Sequence, residues 1–312
     1  MLSELLSEYF FDAAVLFLTA PSLFSLPFFY LQPTFFDATG VVTFGKGVVG
    51  AIRLVIKATE TKQAALVVGN PLIQNVPATI LIEGGEYVSD NYSGMMIGLD
   101  AAVTMCGGEF YGGNGEGTAY PGVALVSGGV LNMAGGHIVG GSQSDEFDAY
   151  LGAGLVLYPD PALDTSPTAT ITGGTITGGS FLYGDGNYSN ISIFAGNMTK
   201  VHLAGGKLSG DLYFEPEATV VVYGETYLSY ENGMLNGKLC DGSELGGISV
   251  YGGGNVELKG CGDAPKINEC GKKSDATSND SIPPTSGKTG KKGKGDAVHR
   301  TRQKRNELAE RQ

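Results

Sequence analysis

The sequence predicts an all-β solenoid, a chain of short strands that coils and stacks in parallel, and three observations predict it. An apolar residue, any residue, Gly-Gly, any residue and an apolar residue recur at Ile82–Tyr87, Met105–Phe110, Met133–Ile138, Ile171–Ile176 and Leu203–Leu208. Around these corners apolar positions alternate with period two, the half-buried strand pattern and not the helical one. Composition agrees: 50 of the 312 residues are Gly and 17% are charged. The glycines cluster in pairs, which excludes the strict three-residue period of collagen.

Residues 1–37 precede the repeats. Leu2, Leu5, Leu6, Tyr9, Phe10 and Ala13 fall at helical spacing, and Ala13 to Phe36 then runs 24 residues without a charge. That length suffices to span a bilayer. Against a span, Pro21, Pro27 and Pro33 interrupt a helix, and Glu4, Glu8 and Asp12 stand where a signal peptide carries Lys or Arg. Two readings stay open: a targeting or membrane-anchoring segment through residues 13–36, or an apolar cap over the end of the domain behind it.

Residues 38–262 carry the repetition. Tyr92–Gly113 aligns with Tyr120–Gly141 without a gap at an offset of 28, so that Tyr92, Gly94, Met105, Gly107 and Gly108 recur as Tyr120, Gly122, Met133, Gly135 and Gly136. A degenerate copy of the corner follows at Val222–Tyr227. The first glycines stand at 84, 107, 135, 173, 205 and 224, so the unit is one turn of a solenoid whose side loops vary in length. The longest interval contains the turn-rich insertion Pro159–Pro167.

Within each unit Ile80 and Ile82, Val103 and Met105, Leu131 and Met133, Ala169 and Ile171, Val201 and Leu203 point one way. Gly-Gly between two strands lets the backbone adopt positive φ and turn a corner that a Cβ would obstruct. Three corners per unit close a coil, and the next coil stacks at about 4.8 Å. The lumen is then an apolar column, and only the two ends present open edges. Residues 1–37 are placed to cover the first coil, and Gly237–Cys270 to finish the last.

From residue 263 the material changes. The tail 263–312 holds 12 of the 20 Lys and Arg and 7 of the 32 acids, so it carries +5 and leaves the body at −17. Ser274–Gly295 has almost no apolar residues and is expected to be disordered. The run Arg300–Arg305 resembles a polyanion-binding patch, but the low specificity of such runs favours a solvated flexible end. The acidic body argues against nucleic acid as a partner.

Four cysteines stand at 106, 240, 261 and 270, and no spacing among them makes a CxxC metal pair. Cys240, Cys261 and Cys270 lie close enough in sequence for one disulfide to close the final turns in an oxidising compartment. Buried free thiols satisfy the same spacing.

The stretches Tyr120–Gly141 and Thr170–Gly179 resemble the glycine-rich coils of right-handed parallel β-helix proteins, the pectin-lyase-like superfamily. They are most like secreted or surface-attached adhesins and autotransporter passenger domains. The resemblance covers residues 78–230 and implies a single-stranded right-handed parallel β-helix of about six to eight coils with an N-terminal apolar cap. Fold alone does not name an activity, because this one hosts many.

A polysaccharide lyase of this kind would need Lys or Arg beside clustered carboxylates. Arg53 precedes the clear repeats, while Lys200, Lys207, Lys238 and Lys259 are spread along the later ones. The paired Asp and Gly-His-Gly turn of the hydrolases are also missing: His137 and His202 fall at outward strand positions and read as surface residues. The densest acidic group is Asp145, Glu146 and Asp148, with Asp160 and Asp164 following. Carboxylate oxygens on one loop suit Ca²⁺, but the spacing matches neither an EF-hand nor the nonapeptide calcium repeat, which favours a solvated acidic loop over a site. No other cofactor is expected.

Thr168, Thr170, Thr172, Thr175 and Thr177 suggest an ice-binding ladder, yet the positions matching Thr170 are Thr104, Asn132 and His202, and those matching Thr175 are Glu109, His137 and Lys207. Sequons at Asn91, Asn187, Asn190, Asn197 and Asn279 favour a secretory route. The sequence thus points to a non-enzymatic extracellular or cell-surface β-solenoid acting as an adhesive or structural surface toward polysaccharide or matrix components. The alternative is a carbohydrate-binding or polysaccharide-degrading β-helix with Tyr87, Tyr111, Tyr150 and Tyr183 as stacking platforms.

Overall fold

The computed structural model describes residues 64–69, 78–115, 118–142, 150–160, 165–183 and 186–270, together with the strands Thr34–Phe36, Val41–Phe44 and Val55–Ala58. Residues 1–33, the acidic loop with Asp145, Glu146 and Asp148, Asp164, and the tail beyond Cys270 lie outside the described residues. The chain divides between Lys272 and Lys273.

Among the described residues the regular structure is all-β apart from one 3-10 turn at Cys261–Asp263. Each repeat lays one strand in a first sheet, turns, lays another in a second sheet, and turns again at Gly-Gly into a further strand of that second sheet. One repeat is Met95–Ile97, Ala101–Met105 and Glu109–Tyr111; the next is Val123–Val126, Val130–Met133 and His137–Val139. Corresponding strands pair in parallel, Met95 with Val123, Val103 with Leu131 and Phe110 with Ile138.

The first sheet runs in parallel order through Thr34–Phe36, Leu66–Val68, Met95–Ile97, Val123–Val126, Leu155–Tyr158, Gly186–Ala195, Asp211–Phe214 and Glu244–Tyr251. The second sheet curls, because Thr168–Thr177 is long enough to take both Val130–Met133 and His137–Val139 as neighbours. This all-β, parallel arrangement agrees with the expectation from sequence and is compatible with a β-helix-like fold.

Period two sorts the side chains. Ile80, Val103, Leu131, Ala169, Val201 and Val220 form one inward row, and Ile82, Met105, Met133, Ile171, Leu203 and Val222 form the next; all twelve are buried. From the first sheet Leu66, Met95, Val123, Leu155, Ile193 and Leu212 meet them in one core. Because like residues stack in register, each layer of the core repeats the one below it.

The corner explains the glycine pair. At Gly135 a Cβ would press into the carbonyl oxygen of Cys106 in the preceding repeat, and Gly136 sits at φ 91°. The first glycine is therefore needed for close stacking and the second for left-handed backbone.

The parallel order ends in an antiparallel meander, Ser229–Glu231, Met234–Lys238 and Glu244–Tyr251. On the second sheet the last strand, Asn255–Gly260, carries Glu257 and Lys259, paired at 3.6 Å, and charge on an outer strand discourages edge-to-edge association.

Candidate binding surface along the glycine corner

The residue that follows each Gly-Gly pair must point outward, since the one after it faces the core. Register therefore builds one surface column, Glu86, Glu109, His137, Thr175 and Lys207, on five adjacent strands. At about 4.8 Å per strand it spans roughly 19 Å and passes from acidic to basic. Beside it runs a second column, Val88, Tyr111, Val139, Thr177 and Ser209.

On its other flank the column borders side-chain-free backbone. Gly85, Gly108 and Gly136, with Glu109 and His137, line a shallow depression of about 320 Å³. Its polar groups are held in place: the Tyr111 hydroxyl donates to Glu109 Oε2 at 2.8 Å, and His137 Nε2 shares a hydrogen bond with Thr177 Oγ1 at 3.0 Å. The Tyr111 ring meets the edge of His137 at 6.5 Å. A carboxylate, a phenol, an imidazole and a hydroxyl thus face one side over three strands, which suits hydrogen bonding to an extended polar ligand.

The later repeats close this surface. The Gly206 amide donates to Asp241 Oδ2 at 2.6 Å, and the Cys240 amide donates to the Ala204 carbonyl at 3.0 Å, so the loop after Met234–Lys238 sits over the corner of its neighbour. Cys240 is bonded to Cys261, with Cα atoms 5.4 Å apart, and Cys270 to Cys106 at 5.3 Å. The second pairing brings in Cys106, which spacing along the sequence does not suggest because 164 residues separate the partners.

Between these anchors residues 261–270 form a strap. Ala264 packs on the outward cluster of Ala204, Val221 and Tyr223. From the strand of Gly260 back to that of Met105 is five strand spacings, about 24 Å, which nine extended residues reach. Beside that cluster His202 stacks on Tyr223 with ring centroids 6.1 Å apart, and its Nδ1 lies 3.1 Å from the Tyr223 hydroxyl. Burial, then Lys259 and Lys200, pushes the His202 pKa down, with Glu257 opposing.

The remaining sequence-derived sites fall as follows. Tyr87 is not a stacking platform: it is fully buried, because it occupies the inward position that Phe110 and Ile138 fill in later repeats. Tyr111 is half-buried on the surface beside the depression, while the side chains of Tyr150 and Tyr183 lie outside the described residues. The threonine register is interrupted as expected, Thr170 pairing with Asn132 and His202, and Thr175 with His137 and Lys207. Ser93, Ser192 and Thr199, the hydroxyl residues of the sequons at Asn91, Asn190 and Asn197, are buried. Among the described residues no three metal-ligating side chains converge, and the Ca²⁺ candidates Asp145, Glu146 and Asp148 lie outside them. No described helix is long and apolar enough to cross a membrane. No protein-family model, curated protein or solved structure matches the chain.

Proposed function

We propose that the chain is a right-handed parallel β-helix of the pectin-lyase-like kind, of about six to eight coils, that works outside the cell or on its surface as a non-enzymatic adhesive surface. The observation that carries this reading is the outward column from Glu86 to Lys207 beside the glycine-floored depression. A row of polar groups at strand spacing meets an extended polymer at many weak points, as adhesion to polysaccharide or matrix requires. The use of all four cysteines in disulfides supports an oxidising compartment.

The test is binding of the intact protein to an array of plant, algal and matrix glycans, with Glu109→Gln and His137→Ala as variants. Adhesion predicts at least one retained glycan and a loss of several-fold in binding for the variants at unchanged melting temperature. A second reading, polysaccharide degradation, draws on Glu109 and His137 facing the same depression. Release of unsaturated or reducing products by the intact protein would establish it and remove the first.

A further inference from the structure

The depression beside the glycine corner lies in a stretch of one-sided charge. No Lys or Arg stands between Lys62 and Lys200, a run that holds twelve Asp and Glu. The four consecutive strands that carry Glu86, Glu109, His137 and Thr175 lie within it, and the strands on either side bring cations back at Lys57 and Lys207. From Glu86 to Thr175 is three strand spacings, about 14 Å. Over that span the Asp, Glu, Lys and Arg of these strands are Glu86 and Glu109 alone.

The Tyr111 hydroxyl donates to Glu109 Oε2 at 2.8 Å, which holds the carboxylate in place beside the depression. The floor of Gly85, Gly108 and Gly136 projects no side chain, so a flat ring can come down to backbone contact. Ligand charge then decides what fits. A polyuronate would set an anion on every repeat against Glu86 and Glu109, on a body that already carries −17. A neutral polymer gains only neutral hydrogen bonds. A protonated amine donates charge-assisted ones to a carboxylate, and these are about twice as strong.

We propose that the depression takes a polysaccharide of amino sugars whose amines are free and protonated, lying along the column so that its ammonium groups meet Glu109 and Glu86. This rests on the adhesive reading above and names the chemistry of its ligand. The amines donate to the two carboxylates, while the ring hydroxyls have His137 and Thr175 as partners on the next two strands. Lys207 sets the limit at the far end: an amine placed there meets a like charge, which confines recognition to the strands from Glu86 to Thr175. N-acetylation removes the ligand's charge and adds bulk at each nitrogen, so the acetylated polymer loses the preference.

The experiment measures binding of the intact protein to immobilised glucosamine oligomers, to the same backbone fully N-acetylated and to a polyuronate, at a pH where the sugar amines are protonated. Oligolysine serves as a cationic probe that is not a sugar. The expected result is several-fold stronger retention of the glucosamine oligomer than of the other three. That binding is expected to fall several-fold in Glu109→Gln, and on raising salt from about 0.1 to about 1 M, which shortens the screening length from about 10 to about 3 Å. Glu257→Gln, which removes the same charge from the outer strand, is expected to leave it unchanged. Equal or stronger retention of the acetylated oligomer or the polyuronate overturns the proposal and leaves the adhesive reading standing, whereas binding to no glycan removes both. Equal retention of oligolysine, indifference to salt, or the same result in Glu109→Gln as in Glu257→Gln also overturns it.

Discussion

Tyr87 and Phe110 hold the same inward position in successive repeats and stack face to face, with ring centroids 4.4 Å apart and planes 6° from parallel. Phe110→Ala leaves a cavity beneath Tyr87 that the rigid ladder cannot collapse around, and a loss of about 3–5 kcal/mol is expected. Tyr87→Phe keeps the stack and removes only a 3.3 Å hydrogen bond to the Gly84 carbonyl, so a loss below about 1.5 kcal/mol is expected. Urea unfolding with unchanged slope measures both; equal losses would show that the stack is not the source.

Burial also pushes the Tyr87 phenol well above its ordinary value. In the unfolded chain a tyrosine releases its proton near pH 10, whereas folded Tyr87 retains it, so stability is intact below about pH 10 and falls as pH rises beyond it. Tyr87→Phe is expected to flatten that alkaline decline. Thermal unfolding of both proteins between pH 8 and 11 reads the difference, and parallel curves would refute it.

The glycine corners separate two costs that sequence alone merges. Gly135→Ala drives a Cβ into the backbone of Cys106, and backbone cannot swing aside as a side chain can. A loss of about 2 kcal/mol or more is expected. A Cβ at Gly246 would meet no atom within 4 Å, so Gly246→Ala is expected to fall within about 0.5 kcal/mol of the parent. Similar melting temperatures for the two variants would contradict the stacking argument.

Register was the most legible feature of the sequence. Spacing from the glycine pairs matches Thr170 with Asn132 and His202, and Thr175 with His137 and Lys207, and the ladder makes these same pairs. Tyr87 was legible by the same logic, since it ends the first corner motif as Phe110 ends the second; a tyrosine's frequent surface role obscured it. The Cys106 to Cys270 bond was not legible, because stacking brings together residues whose separation depends on every side loop between them. The strap across residues 261–270 was hidden for a related reason: its few apolar contacts show no period.

The two disulfides should contribute unequally. They close loops of 164 and 21 residues, for which chain entropy alone gives about 5 and about 3 kcal/mol. Replacing Cys106 and Cys270 together by Ser is expected to lower the melting temperature more than replacing Cys240 and Cys261. It is also expected to speed amide exchange in residues 264–270, because the strap then keeps only its Cys261 anchor. Unchanged exchange there would mean that packing of Ala264, not the bond, holds the strap.

His202 offers the acid-side counterpart to Tyr87. Its imidazole is held below the ordinary histidine value by burial first and by Lys259 and Lys200 next, Glu257 opposing them. As pH falls through about 6.5 the unfolded chain takes up a proton that folded His202 resists, so stability is present above that pH and declines below it. His202→Gln, which can still hydrogen-bond the Tyr223 hydroxyl, is expected to lessen the decline between about pH 7 and 5. Proton NMR of the ring supplies the direct check. A midpoint above the ordinary value of about 6.5 would reverse the sign and show that Glu257, not burial and the lysines, governs the site.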